Sequence, residues 1–133
     1  MLLLDTHALI WLVEGSKSLG RRAVRQADAA LARDQLAVAA ISFWEVAMLA
    51  RDQRIALDLP PAEWRLRVVA LGFHEVSLTG DVAIAAAMLA DFHADPADRL
   101  IVASAQATDA ALITADERIL RWRGSLVRHD ARK

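Results

Sequence analysis

Short apolar runs alternate with stretches of helical periodicity along the whole chain, and this alternation restricts the fold more than any other feature. Leu2–Leu4 is an apolar run that ends at Asp5 and is followed at once by a helical pattern through His7–Glu14. A second helical stretch covers Leu19–Asp34, Leu36–Ala40 reads as a strand, and Ser42 is the expected N-cap of a helix running to about Asp52. Leu57–Pro61 breaks the chain before another helix, which ends near Leu71-Gly72, where glycine acts as a stop signal. Phe73–Ser77 is a short strand and Thr79 opens an alanine-rich helix through Ala90. Asp95-Pro96 starts a helix to Thr108, with aspartate at the cap and proline at the first helical position. Ala110–Thr114 is a strand, Asp116 caps a further helix, and Ser125–Arg128 is the last expected strand. Strands that alternate with helices imply βαβ units, and hence an α/β fold with a central parallel sheet of about five short strands and helices on both faces.

No Gly/Ser linker, repeat or low-complexity run divides the 133 residues, so residues 1–133 are expected to form one domain, large enough to bury roughly two-thirds of its unfolded surface. Cysteine is absent. Disulfide frameworks and thiolate metal sites are thereby excluded, and any metal must be held by oxygen or imidazole. The N-terminal run has no basic leader and is interrupted early by Asp5, and no stretch has the eighteen or more apolar residues a membrane span needs. A soluble, cytosolic protein is expected. Formal net charge is −1 and offers no global case for a nucleic-acid partner. The tail after Asp116 is more basic, with Arg118, Arg121, Arg123, Arg128, Arg132 and Lys133 against Glu117 and Asp130, a pattern equally compatible with a solvated helix end. The apolar share of 56% hints at a buried interface with a second copy or a protein partner.

In open parallel sheets, sites form beyond the carboxyl ends of the strands. Asp5 stands just past the first strand and Asp116 two residues past the strand ending at Thr114; either one alone reads first as a simple helix cap. Glu45 follows Ile41 by four residues and precedes Met48 and Leu49, which places its carboxylate on the apolar stripe of its helix. Burying an unpaired carboxylate costs several kcal/mol unless a cation or a hydrogen-bond network compensates. Asp98 precedes Ile101 and Val102 in the same way and sits in the first helical turn, where the helix dipole favours an anion. Asp95 is read as the cap that shapes this turn. Two acids at strand ends and two on helices that follow strands are expected to converge on one edge of the sheet. Repulsion between unit charges about 4 Å apart is roughly 1 kcal/mol in water and about 4 kcal/mol at intermediate dielectric, so the quartet requires a cation. Oxygen-only ligands with open water positions suit Mg²⁺ or Mn²⁺, which activate water against phosphodiesters.

Around these acids the sequence resembles the PIN-domain family, specifically its VapC-type toxins. The matching segments are LLLDTHALIWL at Asp5, AISFWEVAML at Glu45, HADPADRLIVASA at Asp98 and ALITADERIL at Asp116, spanning essentially the whole chain. The resemblance implies a PIN fold, a homodimer, and Mg²⁺- or Mn²⁺-dependent endoribonuclease activity neutralised by a VapB-like antitoxin that wraps apolar grooves. It implies a bacterial or archaeal cytoplasmic setting. It makes Asp5 and Asp98 the most direct metal ligands, with Glu45 and Asp116 completing the site directly or through water. Thr114, Thr6, Asp95 and Arg99 become supporting residues, and Arg118 and Arg121 candidate contacts to RNA. Trp11 and Trp44 either serve an antitoxin groove or, more simply, pack in the core. One departure is Ala97, where family members often carry an aromatic residue.

Two rival functions are kept. An aspartyl-phosphate phosphatase would use Asp5 as nucleophile, but His7 stands where such enzymes usually place a second aspartate. A PIN-like binding module would dispense with catalysis, yet none of the four acids is missing. His7, His74, His93 and His129 make no helical i, i+4 pair for zinc, and His93 is read as orienting the Asp95 turn. Ser42 and Ser104 lack a nucleophile elbow, and no glycine-rich phosphate loop is followed by lysine.

Overall fold

The computed structural model describes residues 1–133. Its strands are β1 (Leu2–Leu4), β2 (Leu36–Ala39), β3 (His74–Val76), β4 (Ala111–Thr114) and β5 (Arg128–Asp130). Helices α1 (Thr6–Val13) and α2 (Arg21–Ala32) join β1 to β2, while α3 (Ala40–Arg51) and α4 (Pro61–Ala70) lead to β3. Helices α5 (Gly80–Ala87) and α6 (Pro96–Ala107) return the chain to β4, and α7 (Glu117–Arg121) precedes β5. The five strands form one sheet in the order β3-β2-β1-β4-β5, every pair parallel.

The core follows from the two-residue alternation of strand side chains. Leu2, Leu4, Leu36, Val38 and Ile113 point to one face, where Val46 and Leu49 of α3 and Trp64 and Val68 of α4 cover them. Leu3, Ala37, Ala39 and Leu112 point to the other, against Ile101, Val102 and Ala105 of α6 and Ile119 of α7. Strands buried on both sides have no polar face, which is why β1, β2 and β4 up to Ile113 read as unbroken apolar runs. The chain steps outward from β1 to β2 and β3 and then crosses back to β4. The order therefore reverses at β1 and β4, and the crevice at their carboxyl ends is where such sheets hold ligands.

Several expected boundaries shift. Ser42 is not a cap: α3 begins at Ala40 behind Ala39, and Ser42 is buried inside the first turn. The last strand is Arg128–Asp130, not Ser125–Arg128, because parallel register with β4 pairs Thr114 with Asp130. The alanine-rich helix stops at Ala87, and residues 88–95 form a connecting loop. The acidic helix α6 follows α5 and this loop, not a strand. Thr6 is already helical because the Asp5 side chain caps α1, accepting from the Ala8 amide at 2.9 Å. Helix α4 ends at Ala70, next to the expected Leu71-Gly72 stop, and Gly72 holds φ at +109°. A β-carbon there would lie 3.0 Å from Leu31 Cδ1 as well. Gly72→Ala is expected to lower stability by about 1–2 kcal/mol, read as a lower urea midpoint at unchanged slope.

Candidate active site

Asp5, Glu45, Asp98 and Asp116 line one cleft of about 460 Å³ at the carboxyl edge of the sheet, together with Thr6, Asp95 and Arg118. Register builds the centre. Leu4 pairs with Ile113, so the next residues along, Asp5 and Thr114, lie side by side. The buried Thr114 hydroxyl donates to Asp5 Oδ2 at 2.5 Å and accepts from the Asp116 amide at 3.0 Å. One hydroxyl thus ties the first acid to the last. Asp5 Oδ1 is held by the α1 cap, so neither oxygen is free to rotate away.

Glu45 is half-buried on the second turn of α3 and accepts from the Thr6 hydroxyl at 2.5 Å. Thr6 Oγ1 also lies 3.0 Å from Ser42 Oγ. A hydroxyl has one proton, so with Thr6 committed to Glu45, Ser42 is left to donate to Thr6. The small polar residue at Ser42 therefore supports the site; its position one turn before Glu45, on the same side of the helix, was the available signal.

Asp98, in the first turn of α6, receives a hydrogen bond from His93 Nε2 at 2.7 Å on Oδ2. Asp95 caps that helix, accepting from the Asp98 amide at 3.1 Å, as expected. Asp116 caps α7 through the amides of Arg118 and Ile119. The Arg118 guanidinium lies 3.2 Å from Asp116 and 3.5 Å from Asp98. Ligand atoms of His93, Asp98 and Asp116 all fall within 4.8 Å of one another.

Burial, and secondarily Asp98, pushes the Glu45 carboxyl above its ordinary pKa. Burial also raises Asp5, against the opposing Thr114 hydrogen bond, and raises Asp98, with Asp95 and Asp116 adding repulsion. Asp116 behaves oppositely: burial works against it, but Arg118 and the α7 amides outweigh burial and hold its carboxyl low. Three of the four acids are thus strained toward protonation by desolvation and mutual repulsion. A hard dication accepting carboxylate oxygen is the compensation that such a donor set fits.

Other expected residues take different roles. Arg99 does not reach the cleft. Its donors go to backbone carbonyls: Nε to His93 at 2.9 Å, one terminal nitrogen to Phe92 at 2.7 Å, the other to Ala86 at 3.0 Å and, at 3.4 Å, to Ala87 and Leu89. Arg121 is exposed, pairs with Glu117 at 3.6 Å and does not line the cleft. Within the basic tail, Arg128 turns inward onto the carbonyls of Trp122 and Leu126, and Arg132 pairs with Glu117 and Asp130. Trp11 lines the cleft, whereas Trp44 is 56% exposed and so is not a core residue. Ala97 is buried.

Residues 2–124 match the family model described as PIN domain, and the chain belongs to this family. Over 118 residues, 88% of each chain, it is 40% identical to Ribonuclease VapC22 of Mycobacterium tuberculosis. A solved toxin–antitoxin complex from Klebsiella pneumoniae aligns over 96% of both chains with a TM-score of 0.64 at 26% identity. VapBC2 from Rickettsia felis, solved bound to a promoter DNA fragment, aligns over 96% of both chains with a TM-score of 0.70; at 13% identity it speaks for the fold alone. No helix is long and apolar enough to cross a membrane.

Proposed function

We propose that the chain, acting as a single PIN unit over residues 1–133, is a VapC-type endoribonuclease toxin that hydrolyses RNA with Mg²⁺ or Mn²⁺. The carrying observation is the convergence of Asp5, Glu45, Asp98 and Asp116 on one cleft, in a chain 40% identical to a ribonuclease of the same family. Asp5 and Asp98 would hold the divalent ion, with Glu45 and Asp116 completing its surroundings directly or through water. When bound, the ion supplies Lewis acidity toward the phosphodiester and lowers the pKa of a coordinated water. The chain's own groups do the rest. Thr114 and Thr6 keep Asp5 and Glu45 in place, Glu45 or Asp116 orients the attacking water and takes its proton, and Asp95 fixes the start of α6. In-line displacement leaves 5′-phosphate and 3′-hydroxyl ends.

Arg118, at the rim beside Asp98 and Asp116, takes an RNA phosphate. Arg118→Ala should therefore reduce the salt slope of single-strand RNA binding by about 0.7 in log–log terms, measured by fluorescence anisotropy. Arg121 is a lesser backbone contact. A VapB-like antitoxin and a second copy of the chain are the proposed protein partners. They are supported by exposed Leu66 and Val69 on α4 and Ile84 on α5, and by the toxin–antitoxin complex from Klebsiella pneumoniae among the structural relatives. The setting is a bacterial or archaeal cytoplasm. The aspartyl-phosphate alternative lacks the second aspartate two residues after Asp5, where His7 stands.

The test is a cleavage assay on total RNA and on defined single strands with Mg²⁺, with Mn²⁺, and with EDTA. Metal-dependent internal cuts with 5′-phosphate ends are expected; metal-independent cleavage, or none with either ion, contradicts the reading.

A further inference from the structure

We infer that His93 is a positioning residue for Asp98, holding its carboxylate on the cleft side so that it can receive the divalent ion. The inference rests on the nuclease reading above. Asp98 is surrounded by charges that repel it, namely Asp95, Asp116 and Asp5. Left to itself, a short side chain in a first helical turn would swing toward solvent. Its single side-chain hydrogen bond comes from His93 Nε2, at 2.7 Å. An ionised carboxylate only accepts, so Nε2 carries the proton and the ring acts as a donor. Arg118 is the other neighbour, but it is longer-range at 3.5 Å, mostly exposed and shared with Asp116.

The imidazole is itself fixed, which a useful positioner must be. Its ring stacks on Phe92 with centroids 4.4 Å apart and 24° between planes, and Phe92 meets the Trp122 ring edge-on at 5.3 Å. Arg99 grips the carbonyls of Phe92 and His93, and Trp122 Nε1 donates to the Ala90 carbonyl at 2.9 Å. Arg99 thus braces the loop that carries His93. The three contacts form one device: Arg99 fixes loop 88–95, the loop fixes the ring, and the ring fixes the acid. Hydrogen-bond partners of ligating carboxylates typically contribute 10- to 100-fold to metal affinity.

The experiment measures Mn²⁺ binding to the full chain by electron paramagnetic resonance of the free ion, for wild type, His93→Ala and His93→Gln. Metal-free thermal unfolding is recorded for each variant. Expected are wild-type binding abolished by Asp98→Asn, a 10- to 100-fold weaker Kd for His93→Ala, and recovery to within about threefold in His93→Gln, whose amide N–H can replace the ring donor. A His93→Ala Kd within twofold of wild type, or a glutamine variant as weak as the alanine one, overturns the positioning role alone. So does a ¹⁴N coupling to bound Mn²⁺ that vanishes in His93→Gln, since the ring would then be a ligand. Wild-type protein that binds no Mn²⁺ overturns both this role and the nuclease reading.

Discussion

Asp5→Asn is expected to lower RNA cleavage by about three orders of magnitude while leaving the fold intact. Removing one anionic ligand forfeits several kcal/mol of transition-state stabilisation, and about 4 kcal/mol corresponds to roughly 10³ in rate. The substitution is close to isosteric. An amide oxygen can still accept from the Ala8 amide, and the Thr114 hydroxyl can turn to accept from the amide nitrogen. Since Asp5 is buried and its charge desolvated, the metal-free variant should unfold at a temperature no lower than wild type. Asp98→Asn should behave alike. Asp95→Asn is the contrast: asparagine caps helices as well as aspartate does, so its activity should stay within about threefold of wild type. Rates from initial velocities on a labelled RNA decide the matter. A folded Asp5→Asn protein within tenfold of wild type would remove Asp5 from the site.

The second large effect couples metal, proton and stability. Asp5, Glu45 and Asp98 have folded-state pKa values above their ordinary ones, for which burial is the first cause. Their protonated forms therefore favour the native state: that contribution is complete below the ordinary carboxylate range and is lost as pH rises through the raised values. Glu75 and Asp130 act in the opposite sense. Arg65 lowers Glu75, and Arg132 holds Asp130 down at about 2, so their contributions exist above the ordinary range and vanish as the solution is acidified. Metal-free protein should accordingly be most heat-stable at about pH 5, less so at pH 8 and again below about pH 4. Divalent metal is expected to reverse the alkaline loss. At a free concentration of about 100 Kd it adds about 2.7 kcal/mol, which for a chain of this size raises Tm by about 10 °C. The increment should shrink toward pH 5, where protons compete for the same oxygens. Calorimetric scans with Mn²⁺ and with EDTA at both pH values test this; a metal increment independent of pH would contradict the carboxylate origin.

Local sequence signals and the tertiary structure contributed different things. The parallel sheet was legible because a strand covered on both faces must be apolar, and Leu2–Leu4, Leu36–Ala39 and Ala111–Ile113 are. The last strand was misplaced by three residues because Arg128–Asp130 is polar and only pairing with β4 makes it a strand. Asp5, Asp98 and Asp116 were visible because each lies at a helix start where an acid has a local physical reason to stand. Glu45 was visible through the opposite sign, a carboxylate where helical spacing demanded an apolar residue.

What no window of sequence contains is partnership. A hydrogen bond between Thr114 and Asp5 spans 109 positions, and the Thr6–Glu45 bond spans 39. Strand register and helix docking decide such contacts, and both are properties of the assembled sheet. The same is true of Arg99, a cation that sequence reasoning aims at a carboxylate or a phosphate. The fold instead surrounds it with carbonyls that end α5 and line loop 88–95. Residue types and their periodicities thus determined the layers of this protein and the identity of its acids. Only the closing of β4 against β1 decided which groups touch, because side-chain contacts depend on distances through space that spacing along the chain does not encode.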